Sequence, residues 1–417
     1  MTHRFQGYNQ DAVWRAEAKE NDARQWKCFP MTQIESGLMI QATQLAAHLQ
    51  TAATPHKLVP YRGVLTPREL DAPEAEIAAL AAGAAIHDLG WLRRVAVRGE
   101  DRFRWLSGMV TNTVNDLAPN AAAWNLVLNA QGRIQGDLTV WRVGEGLSPL
   151  RNRLLDADPE LELVIAADQY DKLMAHLNHF IIMDDVELVP LNNEAPGEGN
   201  AETVVGLTGP DAEAVLARMG LPTLAEPMTG VWVEWNGVDL RMLRGYDVLA
   251  RHYQIWTPAA GLAKLWLGMR TAGATPVGCA AVEALRIAEG IPAYGVDIAE
   301  RDLPQETSQL RALHFNKGCY LGQEIVERIR SRGNVHRHLR QMELIGPLPL
   351  GGTDLFFNGE QAGQISSAAA LPLEKGVRTF ALAMVRSEAE NKAGGWTYTA
   401  EGSAGMARLL DAAPSLV

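Results

Sequence analysis

Eight consecutive residues, Lys317-Gly318-Cys319-Tyr320-Leu321-Gly322-Gln323-Glu324, bring together a thiol, an ammonium, an amide and a carboxylate. Glycines at 318 and 322 let the backbone turn tightly or approach a ligand closely. Lys317 stands two positions before the thiol, and Gln323 to Arg330 reads as a helix with Ile325, Val326 and Ile329 on one side. A nearby cation and a helix N-terminus both favour thiolate, so this setting predicts a functional Cys319 with a pKa below the free value of about 8.5. A small buried cysteine in a turn is the competing reading. Asp137 is the second candidate. It falls inside a predicted strand, where a carboxylate fits poorly unless it faces solvent or a site.

A hairpin positions Asp137. Trp124–Leu128 and Ile134–Val143 alternate on either side of the turn-forming run Asn129-Ala130-Gln131-Gly132-Arg133. Around it the chain repeats a strand, a turn and a helix. Val97-Arg98-Gly99-Glu100-Asp101 leads to Leu106 and Met109, and Leu207-Thr208-Gly209-Pro210-Asp211 leads to Leu216 and Met219. Gly, Asp, Leu and Met recur at one offset, either by coincidence of two common turns or as a duplicated α+β unit around a shared cleft. Leu161–Ala166 reads as a strand and Asp168–Phe180 as a helix. Its His176 and His179 read as surface histidines, because no third metal ligand stands near them. Gly278–Glu289 reads as a buried helix with Cys279 in the core, stopped by Gly290-Ile291-Pro292. Residues 144–160 and 192–201 read as loops, and from about Gln341 onward Gly and Pro punctuate short strands such as Leu355–Phe357, Gly363–Ser367 and Thr379–Arg386.

The length of 417 residues suggests two to four domains, and 47% hydrophobic content supplies a sizeable core. A formal charge of −11 argues against a whole-surface nucleic-acid binder and for a soluble cytoplasmic protein. Cys28, Cys279 and Cys319 are too few and too far apart for a disulfide framework or a metal site, which fits a reducing compartment. The Ala-rich run Ile77–Ile86 is far short of the roughly 20 residues a membrane span needs. Residues 1–30 show no signal-peptide core and read either as a disordered extension or as sequence upstream of a start at Met31. Arg328, Arg330, Arg332, Arg337 and Arg340, with His336 and His338, form a basic run broken by Gly333. It reads as a solvated face or as a site for an anionic tail.

The octet at 317–324 resembles the signature of the YgfZ family, folate-binding relatives of the glycine-cleavage T protein linked to iron–sulfur assembly and, in bacteria, to tRNA modification. The likeness runs from about Ile86 to the C-terminus. Leu285 to Asp297 resembles a motif of both groups, Leu-Arg-x-Glu-Ala-Gly followed by Tyr-Gly-x-Asp. The resemblance implies an α+β fold: a duplicated T-protein-like unit at 61–335, after an N-terminal extension at 1–60, and an all-β barrel at 336–417. It implies tetrahydrofolate or a one-carbon derivative as cofactor, with contacts from Arg286, Glu289, Tyr294, Lys317, Tyr320, Gln323 and Glu324. At the family's glutamate position stands Ala288, with Glu289 one residue later. One residue is about 100° of helix rotation, so Glu289 takes that role only if the helix end unwinds. The T-protein hairpin carries two successive acidic residues near the folate, whereas here Gly136 precedes Asp137.

Three readings follow. One is support of iron–sulfur enzymes through Cys319, with assembly proteins or client enzymes as partners; three cysteines cannot supply the four ligands a cluster usually takes. Another is a tetrahydrofolate-dependent aminomethyltransferase with Asp137 in acid–base or electrostatic work. A third is an RNA-contacting module that uses the basic run Arg328–Arg340 on RNA phosphate, weakened by the acidic whole and by the lack of an interleaved aromatic platform; otherwise the run would meet the glutamates of folate.

Overall fold

The computed structural model of the chain describes residues 40–51, 56–144, 161–192, 202–333 and 335–417. The first thirty residues, with Cys28, lie outside the described residues, as do Met31 and nearly all of the expected loops at 144–160 and 192–201. A short helix α1 (Gln44–Leu49) buries Leu45 and Ala46, and a hairpin of β1 (Leu58–Tyr61) and β2 (Val64–Pro67) follows. Next come α2 (Pro73–Ala82) and β3 (Ala85–Asp88).

The strand–turn–helix repeat then opens into two matching units. The first is β4 (Leu92–Arg98), α3 (Arg102–Met109), β5 (Ala122–Leu128), β6 (Ile134–Arg142), β7 (Leu161–Ala166), α4 (Ala167–His179) and β8 (Glu187–Pro190). The second is β9 (Glu202–Thr208), α5 (Ala212–Arg218), β10 (Gly230–Trp235), β11 (Val238–Arg244), β12 (His252–Pro258), α6 (Ala259–Thr271) and β13 (Thr275–Val277). The sheets run β5-β6-β7-β4-β8 and β10-β11-β12-β9-β3-β13, so β4 to β7 correspond in place to β9 to β12. Gly99 and Gly209, the recurring glycines, have φ of +98° and +133° between strand and helix. A side chain there would strike the backbone of Asp185 in one unit and of Gly83 in the other, which is why glycine recurs. Each half has its own core, with Leu106 fully buried in the first and Leu216 in the second.

A buried ion network joins the halves. Arg94 of β4 donates to Glu162 of β7 at 2.8 Å, and these meet Arg241 of β11 and Glu202 of β9 across the sheets. Removing one partner would leave a buried charge uncompensated, a loss of about 3–5 kcal/mol.

Helices α7 (Cys279–Ala288) and α8 (Gln323–Arg332) lead to the closing domain. Gly333 ends α8, and six strands close into a barrel in the order β14-β17-β16-β15-β18-β19. These are β14 (Arg337–Ile345), β15 (Asp354–Phe357), β16 (Glu360–Leu373), β17 (Gly376–Arg386), β18 (Trp396–Ala400) and β19 (Ser403–Leu409). β16 and β17 are longer than the sequence suggests. A register shift between Ile365 and Ser367 bends β16 so that one strand serves two stretches of wall. The fold is α+β, a duplicated unit followed by an all-β barrel. Ala281, Ala284 and Leu285 of α7 share one apolar core with Leu371, Phe380 and Leu382 of the barrel.

Candidate functional site

Both sheets and α7 line a cavity of about 270 Å³, near the lower end of the roughly 300–1,000 Å³ of small-molecule sites. Asp137 lines it from β6, an interior strand, so the carboxylate is no solvent-facing edge residue. Trp124 Nε1 donates to its Oδ2 at 2.8 Å, and Gln169 Nε2 donates to its Oδ1 at 3.0 Å. Gln169 also accepts from the Asp137 backbone N–H at 2.9 Å. A Cβ on Gly136 would meet Gln169 Oε1 at 2.8 Å and Leu173 Cδ2 at 2.9 Å. The missing first acid of the pair therefore leaves the space from which Gln169 grips the second.

Helix α7 ends at Ala288, and Glu289 follows as its C-cap before Gly290, which takes φ of +71°. That termination turns Glu289 into the cavity while Ala288 stays fully buried in the core. Burial pushes the Glu289 carboxyl up to about 7, against the pull of the Leu249 and Ala250 amides. Leu249 N donates to it at 3.2 Å. Arg286 also lines the cavity but is committed to Glu283 at 2.5 Å and to Asp297 at 2.7 Å. Burial raises Glu283, and the charge and hydrogen bonds of Arg286 outweigh it, holding Glu283 at about 2. Tyr294 lines the cavity too, and its hydroxyl accepts from Lys172 Nζ at 2.8 Å.

The wall fits a flat polar heterocycle. It is largely apolar and aromatic, yet Nε1 of Trp91 and Trp141, Oε1 of Gln254 and Nε of Arg311 are buried and make no hydrogen bond among the described residues. Such orphans are rare unless a ligand or water completes them.

The octet lies elsewhere. None of Lys317, Cys319, Tyr320, Gln323 and Glu324 lines this cavity. Tyr320 inserts into the apolar core, and Cys319 and Glu324 are exposed. Lys317 does not act as the free cation expected beside the thiol. Its ammonium donates to the carbonyls of Val110 and Asn112, each at 2.7 Å, and burial pulls it down to about 7. Gly322, at φ of +81°, lies against Asn129 O and Gly132 of the β5–β6 turn, so the start of α8 buttresses the hairpin that carries Asp137. Cys279 is buried, and burial pushes its thiol well above the ordinary range.

Much of the basic run is paired. Arg337 meets Asp302 and Glu306, Arg340 meets Glu390 and Asp411, and His338 meets Glu390. His176 Nε2 lies 3.2 Å from the Leu128 carbonyl, and no metal-holding cluster of His, Cys, Asp or Glu forms among the described residues.

A model of the GCVT N-terminal domain matches residues 53–317. The chain belongs to the GCVT family. Aminomethyltransferases of Desulforamulus reducens and Rubrobacter xylanophilus are 25% and 26% identical over 333 and 343 residues, covering 78% and 80% of this chain and 84% of each relative. The crystal structure of glycine cleavage system aminomethyltransferase T from Bartonella henselae matches with a TM-score of 0.75 at 19% identity, over 91% of this chain and 98% of that one. That likeness establishes the fold.

In this GCVT cavity the sequence reading missed Trp124 and Gln169, which hold Asp137, and His87 and Arg311 in the wall. Arg311 lies between the rings of Trp124 and Tyr246, at 5.2 and 5.0 Å. Gly136 was the one legible signal, since a glycine inside a strand marks a close approach. Among the described residues, no helix is long and apolar enough to cross a membrane.

Proposed function

We propose that this protein binds tetrahydrofolate, the cofactor of GCVT aminomethyltransferases, with the reduced pterin in the cavity between the halves, and that it handles a folate-borne one-carbon group. The observation that carries the reading is the fixed carboxylate of Asp137 in a largely apolar wall that includes the rings of Trp91, Trp124, Trp141 and Tyr246. When bound, tetrahydrofolate supplies the nitrogen that carries the one-carbon unit. Each Asp137 oxygen takes one hydrogen bond from a held donor and keeps lone pairs free to hold or move a proton at that end of the ligand. Glu289, Arg286 and Tyr294 contribute polar groups to the same wall. Residues 61–335 form the binding unit and 336–417 the barrel that packs on it. Titration of purified protein with tetrahydrofolate is expected to give saturable binding, and an aminomethyl-lipoyl carrier to release ammonia in a folate-dependent way. Absence of both overturns the reading.

A second reading attaches to the octet. Lys317 and Tyr320 are pinned while Cys319 between them is exposed, so the loop presents its thiol outward. This favours YgfZ-type support of iron–sulfur enzymes, through a thiol offered to assembly proteins or client enzymes, with tRNA modification as one destination. In cells lacking the protein, Cys319→Ser is expected to fold yet leave iron–sulfur enzyme activity low, because serine lacks the soft sulfur that iron and redox partners require. Full rescue by the serine variant removes this reading.

A further inference from the structure

One buried carboxylate ties the barrel to the cavity wall. Asp297 lies in the loop after α7 and is 5% exposed. Its Oδ2 accepts from Arg286 Nη1 at 2.7 Å and from the Ala293 backbone N–H at 2.9 Å. Its Oδ1 accepts from the hydroxyls of Ser366 and Ser367 on β16, each at 2.6 Å. Successive side chains of a regular strand point to opposite faces, so two adjacent serines do not ordinarily reach one atom. The register shift removes that bar. Ile365 pairs with Ala383 and Ser367 with Leu382, which makes Ser366 the extra residue of a β-bulge. The Ser366 hydroxyl also lies 3.1 Å from the Leu382 carbonyl, so the bulge is itself held.

On its other side the carboxylate holds groups of the cavity. Arg286 Nη1 donates to the Ile291 carbonyl at 2.5 Å as well, and its Nε donates to Glu283 Oε2 at 2.9 Å. Glu283 accepts in turn from the Tyr61 hydroxyl on β1 at 3.1 Å. Tyr61, Arg286 and residues 291–294 all line the cavity. A continuous line of hydrogen bonds therefore runs from β16 of the barrel to β1, and Asp297 is its link to the barrel. A buried carboxylate that loses two donors is left under-satisfied and shifts to recover them. Arg286 and Ala293 are bonded to that carboxylate and move with it.

We infer that Ser366 and Ser367 are positioning residues for the ligand of the cavity: acting from the barrel through Asp297, they fix Arg286 and the 291–294 stretch of wall. The inference rests on the tetrahydrofolate reading above. It goes beyond that reading by giving the closing domain a part in binding, although none of the described barrel residues lines the cavity.

The test measures tetrahydrofolate dissociation constants and melting temperatures of the full chain for wild type, Ser366→Ala/Ser367→Ala, Asp297→Asn, the triple variant and Val385→Ala. Val385 is fully buried in the barrel's own core and makes none of these bonds, so it is the control for lost stability. The serine pair is expected to weaken tetrahydrofolate by about tenfold, either serine alone by a few-fold, and Asp297→Asn by at least as much as the pair. Val385→Ala should lower the melting temperature and leave the constant within about twofold. The triple variant should bind no worse than Asp297→Asn, because the serines act only through that carboxylate. If Asp297→Asn does not fold, arginine side-chain ¹⁵N spectra of the wild type and the serine pair decide, because the Arg286 Nε resonance must shift when the hydroxyls are lost. An unchanged constant or an unmoved resonance in the serine pair overturns this inference alone. A loss in Val385→Ala as large as in the serine pair also overturns it, since binding would then follow stability. Additive losses from the serines and Asp297→Asn do the same. No binding by wild type overturns it together with the folate reading.

Discussion

The cavity and the 317–324 loop are both dense in reactive side chains, and they are built in opposite ways. In the cavity, groups from strands and helices far apart in sequence converge, and several buried polar atoms make no hydrogen bond among the described residues. In the loop, groups adjacent in sequence diverge: Lys317 turns to backbone carbonyls, Tyr320 enters the core, and Cys319 and Glu324 face solvent. The difference teaches that local chemical density does not make a pocket. A pocket needs unpaired groups held on rigid elements, and the loop uses its own groups to hold itself and the β5–β6 turn.

Several changes would break or sharpen that contrast. The largest effect is expected at Asp137→Asn, which keeps the size but loses one acceptor oxygen and the proton it can exchange. Any one-carbon exchange should fall by about 10²–10⁴-fold while the fold persists, as read by single-turnover assay and circular dichroism. An unchanged rate would move the chemistry out of the cavity.

Next is Gly136→Ala, whose methyl must displace Gln169 or Leu173. The expected loss is about 1–3 kcal/mol of stability, measured by urea unfolding, with part of it recovered in Gly136→Ala/Gln169→Ala. Equal losses in the single and double variants would show that the two residues are not coupled.

Smaller is the effect of Glu289→Gln. Burial raises the folded pKa of Glu289 to about 7 from the usual carboxylate range. The folded state therefore binds the proton more tightly than the unfolded state. Stability is lost as pH rises from about 4.3 towards 7, at up to about 1.4 kcal/mol per unit. The glutamine variant should match the wild type below about pH 4 and melt a few degrees higher at pH 8. The reverse order would place the Glu289 carboxylate in a solvated or paired setting.

The smallest effect is expected at Cys319→Ser. With the thiol exposed and outside the cavity, melting temperature and tetrahydrofolate affinity should stay within error. Iodoacetamide should label Cys319 and spare buried Cys279, and Lys317→Ala should change the Cys319 rate little, because that ammonium is committed to carbonyls. A large loss of folate affinity in the serine variant would join the two regions into one site.

The sequence by itself determined the elements and their repetition. The turn at Asn129–Arg133, the helix at 279–288 and its glycine stop, the start of α8 at Gln323 and the paired Gly–Asp–Leu–Met spacing all follow from local backbone preference and apolar period. Those forces act over a few residues, so a sequence displays them. Tertiary structure decided what the polar groups do. No local rule brings Gln169 to Asp137, 32 positions away, or tells that Lys317 will bond carbonyls some 200 positions earlier. Nor does one show that His87, Thr208 and His252 will meet across three strands. Hydrogen bonds, burial and pKa shifts depend on neighbours in space, and those are set only when the two sheets and α7 close around one cavity.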